Sequence, residues 1–171
     1  MKRREFIAAF GVAATAWPLA ARAQQPAVPV IGFLRSSSLA DSTHLVKGFR
    51  QGLSEAGFVE GQNIAIDYRY ADNQHDRLPA LAADLIKRGV AVIVGNTISA
   101  LAAKSATATV PIVFATGGDP VRDGLVAALN RPGGNVTGIV FISGVLGAKR
   151  LQLLHQLLAR PATIAMLVNP G

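Results

Sequence analysis

The sequence predicts an α/β fold, an open parallel sheet flanked by helices on both faces. Three observations carry this. Short, nearly continuous apolar runs recur at Val28 to Leu34, Val90 to Val94 and Pro111 to Ala115. Between them, apolar residues return at helical spacing, and the joining loops are short. Strands alternating with helices across short loops imply parallel pairing, right-handed crossovers and helices packed on both sides of the sheet.

Taken in order, "VPVIGFL" is the first strand, and Leu45, Phe49, Leu53 and Ala56 mark a helix that stops at Gly57, a natural C-terminal cap. "NIAIDYRY", Asn63 to Tyr70, alternates like a strand with one exposed face, as near a sheet edge. Leu78, Leu81, Ala82, Leu85 and Ile86 give the next helix, ended by Gly89. "VAVIV" is a buried strand. Ile98, Leu101 and Ala102 open a third helix, and "PIVFA" is a fourth strand, with Pro111 tolerable as its first residue. The stretch after it, "TGGDPVRDGLVAALNRPGGNVTG", reads as a polar turn, a short helix and a tight loop on Pro132, Gly133 and Gly134.

With 171 residues, 50% hydrophobic and 16% charged, the chain has the material for a packed core. Its formal charge of +7 is partly a property of the N-terminus. Residues 1–23 hold Lys2, Arg3, Arg4 and Arg22 against Glu5, which leaves 13 Lys and Arg against 9 Asp and Glu, a net +4, in the rest. Those charges form no basic stripe, and no nucleic-acid partner is expected. The segment "MKRREFIAAFGVAATAWPLAARAQQ" has a charged start, an apolar run and Ala21-Arg22-Ala23 in a small-x-small pattern. It reads as an export signal cleaved after Ala23, and Arg3-Arg4 resembles a twin-arginine signal. The apolar run, about 15 residues, is shorter than the roughly 20 that cross a bilayer. There is no cysteine for a disulfide or a lipid anchor, so a soluble periplasmic protein is expected.

In an open parallel sheet, ligands bind outside the carboxyl ends of the strands. Three loops fall there: "RSSS" at Arg35 to Ser38, "GNTIS" at Gly95 to Ser99 and "TGGDP" at Thr116 to Pro120. All are small and polar. Each residue also has a structural reading. Asp119 and Pro120 fit a helix N-cap and first-turn proline, and Ser37, Asn96 and Thr97 can be read as caps too. Their joint placement on one edge is what favours a ligand.

No motif for chemistry is present. "GFLRSSSLADS" lacks the G-x-G-x-x-G of a dinucleotide fold, no Walker loop occurs, and no serine sits in a G-x-S-x-G elbow. His44, His75 and His155 are far apart and share no metal-ligand spacing. Neither catalysis, a metal nor a cofactor is expected.

At this point the residues carry a resemblance. "EAGFVEGQNIAIDYRYA" and "DPVRDGLVAALNRPGGNVTG", with "VIGFL" before them and "LQLLHQLL" after, resemble the ABC transporter substrate-binding protein family of the type I periplasmic-binding fold. The resemblance runs from about Val28 to the end. It implies two α/β lobes closing on a small ligand, some members being similar to aromatic amino-acid binders. It further implies residues 24–142 as the N-terminal lobe, with a hinge strand at Thr137 to Ile142, and 143–171 as the first helix and strand of an incomplete second lobe. The chain therefore reads as truncated, with the apolar face of Leu151, Leu154, Leu157 and Leu158 uncovered. By resemblance and loop position, Arg35, Ser36, Ser37, Gly95, Asn96, Thr97, Thr116, Gly117 and Asp119 are the ligand-binding candidates, Arg35 being able to pair a ligand carboxylate. The implied partners are a small molecule, an amino acid among the options, and an ABC permease with its ATPase, the membrane being reached only through the permease. Two other readings stay open: a periplasmic ligand-sensing receptor domain and an exported Rossmann-like cofactor enzyme.

Overall fold

The computed structural model describes residues 28–141 and 146–158, with Thr163 and Ala165. The segment expected to be an export signal lies outside the described residues, as do Ile142 of the expected hinge strand and, Ala165 apart, the strand expected at Ile164 to Val168.

The elements follow the predicted alternation. They are β1 (Val30–Arg35), α1 (Leu39–Glu55), β2 (Ala65–Tyr70), a 3-10 turn (His75–Arg77) running into α2 (Leu78–Lys87), β3 (Val92–Gly95), α3 (Thr97–Ala106), β4 (Ile112–Thr116), β5 (Val136–Val140) and α4 (Gly147–Leu157). The five strands form one parallel sheet in the order β2-β1-β3-β4-β5. β2 is an edge strand, which accounts for its alternating sequence: every residue in it is only partly buried.

Two glycines and an aromatic pair locate the layers. A methyl group on Gly32 would lie 3.1 Å from Leu85 of α2, and one on Gly95 would lie 3.0 Å from Ser99 of α3. These helices therefore sit close on one face, over a core that includes Leu34, Leu85, Ile93, Ala100, Ala103, Ile112 and Phe114. Phe33, one residue from Gly32 and so on the opposite face, packs on Phe49 of α1 at 5.1 Å between ring centroids. Helices thus cover both faces, unequally. Ser42 is the one buried residue of α1, and Ile139 of β5 is 58% exposed.

Helix ends follow local chemistry. α1 starts at Ser38, whose Oγ accepts from the Asp41 amide and donates to the Asp41 carboxylate. It ends at Gly57, where φ is +83° and the Phe58 amide returns to the Leu53 carbonyl. Asn63 locks the following turn, accepting from the Val59 amide and donating to the Gly57 carbonyl. Asn135 does the same before β5 through the carbonyls of Thr107 and Val110.

One expected helix is absent. After Asp119 the chain makes a single turn at Pro120 to Gly124, then runs irregularly to Asn135. Gly124 stops it with φ at +77°, while Leu125 and Val126 are drawn into the core instead of propagating a helical face. The leucines of α4 are exposed, from 43% at Leu151 to 81% at Leu157.

Candidate functional site

The carboxyl ends of β1, β3 and β4 sit side by side because these strands are adjacent in the sheet. Their exit loops are tied by two hydrogen-bonded chains. In the first, Asn96 Nδ2 donates to Ser36 Oγ at 2.7 Å, and Asn96 Oδ1 accepts from Ser99 Oγ at 2.6 Å. In the second, the Thr97 and Thr116 hydroxyls meet at 2.6 Å, and Thr116 Oγ1 accepts from the Gly118 amide. Together they fix the edge as a polar rim with few degrees of freedom.

The candidates differ in how they enter this rim. Ser36 and Thr116 are buried and spend their hydroxyls within it. Asn96 is the N-cap residue of α3 but makes no side-chain cap; its amide bridges β1 and α3 instead. Thr97 joins α3 to β4. Neither acts as a side-chain cap, and at α1 that role belongs to Ser38, while Ser37 bonds the buried Ser42 hydroxyl at 2.8 Å. Gly95 is buried, with Ser99 and the Leu34 carbonyl crowding the place a β-carbon would take, so its small size serves the approach of α3. Gly117 is exposed on the rim. Asp119 Oδ1 accepts from the amides of Val121 and Arg122, capping the turn that stands in place of the expected helix.

Arg35 is the exception to this internal pairing. It ends β1, is partly buried, and its Nε is enclosed without a hydrogen-bond partner. Burial pulls its pKa below the usual arginine range, and the neighbouring Tyr70 partly offsets this. The Tyr70 hydroxyl is likewise enclosed and unpartnered, and burial raises its pKa. Tyr70 is absent from the residues singled out by sequence, where it reads as a strand residue near the core. The signal that finds it is its register with Arg35 across β1 and β2.

Elsewhere, Arg69 holds Asp67 and Asp84 together beside Arg88, a surface network on β2 and α2. His44, His75 and His155 are all exposed, and no group of metal-ligating side chains occurs among the described residues. Two surface cavities are lined by none of the hydrogen-bonded rim residues, although Ile98 of the second rim loop borders the larger one. One, about 180 Å³, is beside α1 and β2 near Arg50 and Phe58. The other, about 380 Å³, lies between α2 and α3 and is lined by His75, Leu78 and Leu101 among others. No described helix is long and apolar enough to cross a membrane.

Open parallel sheets take ligands outside the carboxyl ends of their strands, and this lobe carries a small polar rim there. The family model described as ABC transporter substrate binding protein matches residues 27–171, and the chain belongs to that family. A relative called tyrosine-binding protein, from Clostridioides difficile strain R20291, is 34% identical over 124 residues, which is 72% of this chain and 35% of that protein. Among solved structures, the ABC domain of a Streptococcus pneumonia protein in complex with L-Trp superposes with a TM-score of 0.61 at 30% identity, over 67% of this chain and 39% of that one. The ligand-free, open structure of a substrate-binding protein with adhesive properties from Clostridium difficile gives 0.65 at 33% identity, over 74% of this chain and 43% of that one. Two of these relatives are named as binding proteins, one for tyrosine and one for an unspecified substrate. The chain spans about two-fifths or less of the length of the first of them.

Proposed function

We propose that the protein captures an amino-acid-like solute at the carboxyl edge of this sheet and presents it to an ABC permease driven by a separate ATPase. The observation that carries the reading is the rim itself. Ser36, Asn96, Ser99, Thr97 and Thr116 bond one another across three strand ends, so the edge is ordered before any solute arrives. Preorganised polar groups spend less free energy on binding than mobile ones.

The small side chains leave room for a ligand, and the exposed Gly117 offers it backbone contacts. Relatives that bind tyrosine or carry L-Trp support an aromatic amino acid as the solute. Residues 1–23 act in this reading as a cleaved export signal, placing the protein in the periplasm. The lobe formed by residues 24–142 is one wall of a cleft, and β5 lies where the chain leaves for the second wall, so closure pivots near Thr137.

The test is a thermal-shift screen of the protein against the twenty amino acids, nucleosides and small carboxylates. A ligand held only by the native state raises Tm. A selective rise with aromatic amino acids is the expected result, and a response confined to nucleosides overturns the reading.

A further inference from the structure

We infer that Arg35 and Tyr70 form the anchor for a carboxylate on the bound solute, an inference that rests on the amino-acid reading above and deepens it. The two residues end neighbouring strands. β1 and β2 run parallel with Arg35 opposite Tyr70, so both side chains leave the same face of the sheet at its carboxyl edge.

Their surroundings are aromatic. The Tyr70 ring stacks on Tyr68 at 6.4 Å with 2° between planes, and Phe33 leans on Tyr68 at 5.6 Å. The guanidinium therefore lies at the end of a row of rings, with its Nε and the Tyr70 hydroxyl enclosed and unpartnered.

Comparison with the other arginines isolates Arg35. Arg50, Arg69, Arg77, Arg88 and Arg122 each have a carboxylate within ion-pair distance. Of those described without one, Arg131 and Arg150 are exposed. Arg35 alone among the described arginines is both partly buried and unpaired. A guanidinium kept out of bulk water favours an anion, and its planar fork matches the two oxygens of a carboxylate. Among the described residues no side chain pairs with its terminal nitrogens, so they can take such a pair. Burial holds the Tyr70 phenol protonated, so it remains a hydrogen-bond donor beside the charge. A small carboxylate fits this combination, and the α-carboxylate of an amino acid is the form consistent with the rim.

The test compares acids with the amines that lack only the carboxylate. L-Tryptophan, L-tyrosine, tryptamine and tyramine are titrated calorimetrically into the wild type and into Arg35→Gln, Arg35→Lys and Tyr70→Phe. The wild type is expected to prefer each acid over its amine by at least about 100-fold, and Arg35→Gln to lose at least about tenfold of that preference with amine binding unchanged. Arg35→Lys, which keeps the charge but lacks the fork, is expected to lose a smaller part, and Tyr70→Phe about threefold to tenfold. Equal binding of acid and amine by the wild type overturns the anchor while leaving the solute-binding reading standing. So does a full preference retained in Arg35→Gln, or in Arg35→Lys should the glutamine variant fail to fold. If none of the four compounds binds the wild type, the amino-acid reading fails and the anchor falls with it.

Discussion

Asn96 Nδ2 donates to Ser36 Oγ at 2.7 Å, joining residues 60 positions apart and fastening the exit of β3 to that of β1. The same amide accepts from Ser99 at the start of α3, so a single side chain coordinates three elements. Replacing it with alanine leaves the Ser36 and Ser99 hydroxyls, both in buried residues, without this partner. Asn96→Ala is expected to cost about 2 kcal/mol of stability in a urea titration, near the middle of the range for losing a buried partner, and to weaken ligand binding further.

Thr116 tests the second chain. Its hydroxyl is shared between Thr97 and the Gly118 amide. Thr116→Val keeps the shape and removes the oxygen, so a loss of about 1–2 kcal/mol in the same titration is expected, with the loop at Gly117 loosened as read by amide hydrogen exchange.

Gly95 separates packing from recognition. An added methyl would meet Ser99 and the Leu34 carbonyl at close range, so Gly95→Ala must push α3 outward. The expected cost is about 1–3 kcal/mol without any ligand, seen as a lower melting temperature of the free protein. An unchanged Tm would assign its size to ligand access instead.

Arg35 predicts the opposite sign. An unpaired, partly buried cation is unfavourable in the free protein, so Arg35→Met should raise the ligand-free Tm by a few degrees while reducing acid binding. A lowered Tm would show that the guanidinium supports the fold.

The Arg69 network sets an acid limit. Hydrogen bonds from Arg69, and the charge of Arg88, hold the Asp84 carboxyl below its usual value of 3.8. A group whose folded pKa is depressed stabilises the fold above its unfolded pKa and stops doing so as pH falls through the folded one. Stability is therefore expected to drop below about pH 4, and Asp84→Asn should flatten that slope in Tm measured against pH.

Much of this architecture was legible in sequence because its signals are local. Gly57 and Gly89 stop helices by adopting positive φ, and the apolar runs at β1, β3 and β4 are what a sheet buried on both faces requires. The segment at Val121 to Asn130 misled because its apolar spacing suits a helix, while Gly124 and the pull of Leu125 and Val126 into the core favour a turn. At the rim, the loops could be found from strand order, but the division of labour inside them could not. Whether Ser37 or Ser38 caps α1, and whether Asn96 caps or bridges, depends on distances between loops far apart in sequence. Tyr70 was hidden for the same reason: only pairing register puts it beside Arg35.

The most direct measurement is a two-dimensional amide NMR titration of the protein with L-tryptophan and L-tyrosine. Shifts concentrated at 35–38, 95–99 and 116–119 are the predicted result and would locate the solute on the rim. Shifts confined to the groove between α2 and α3, around Leu78 and Leu101, would contradict the account, as would no shift with either amino acid.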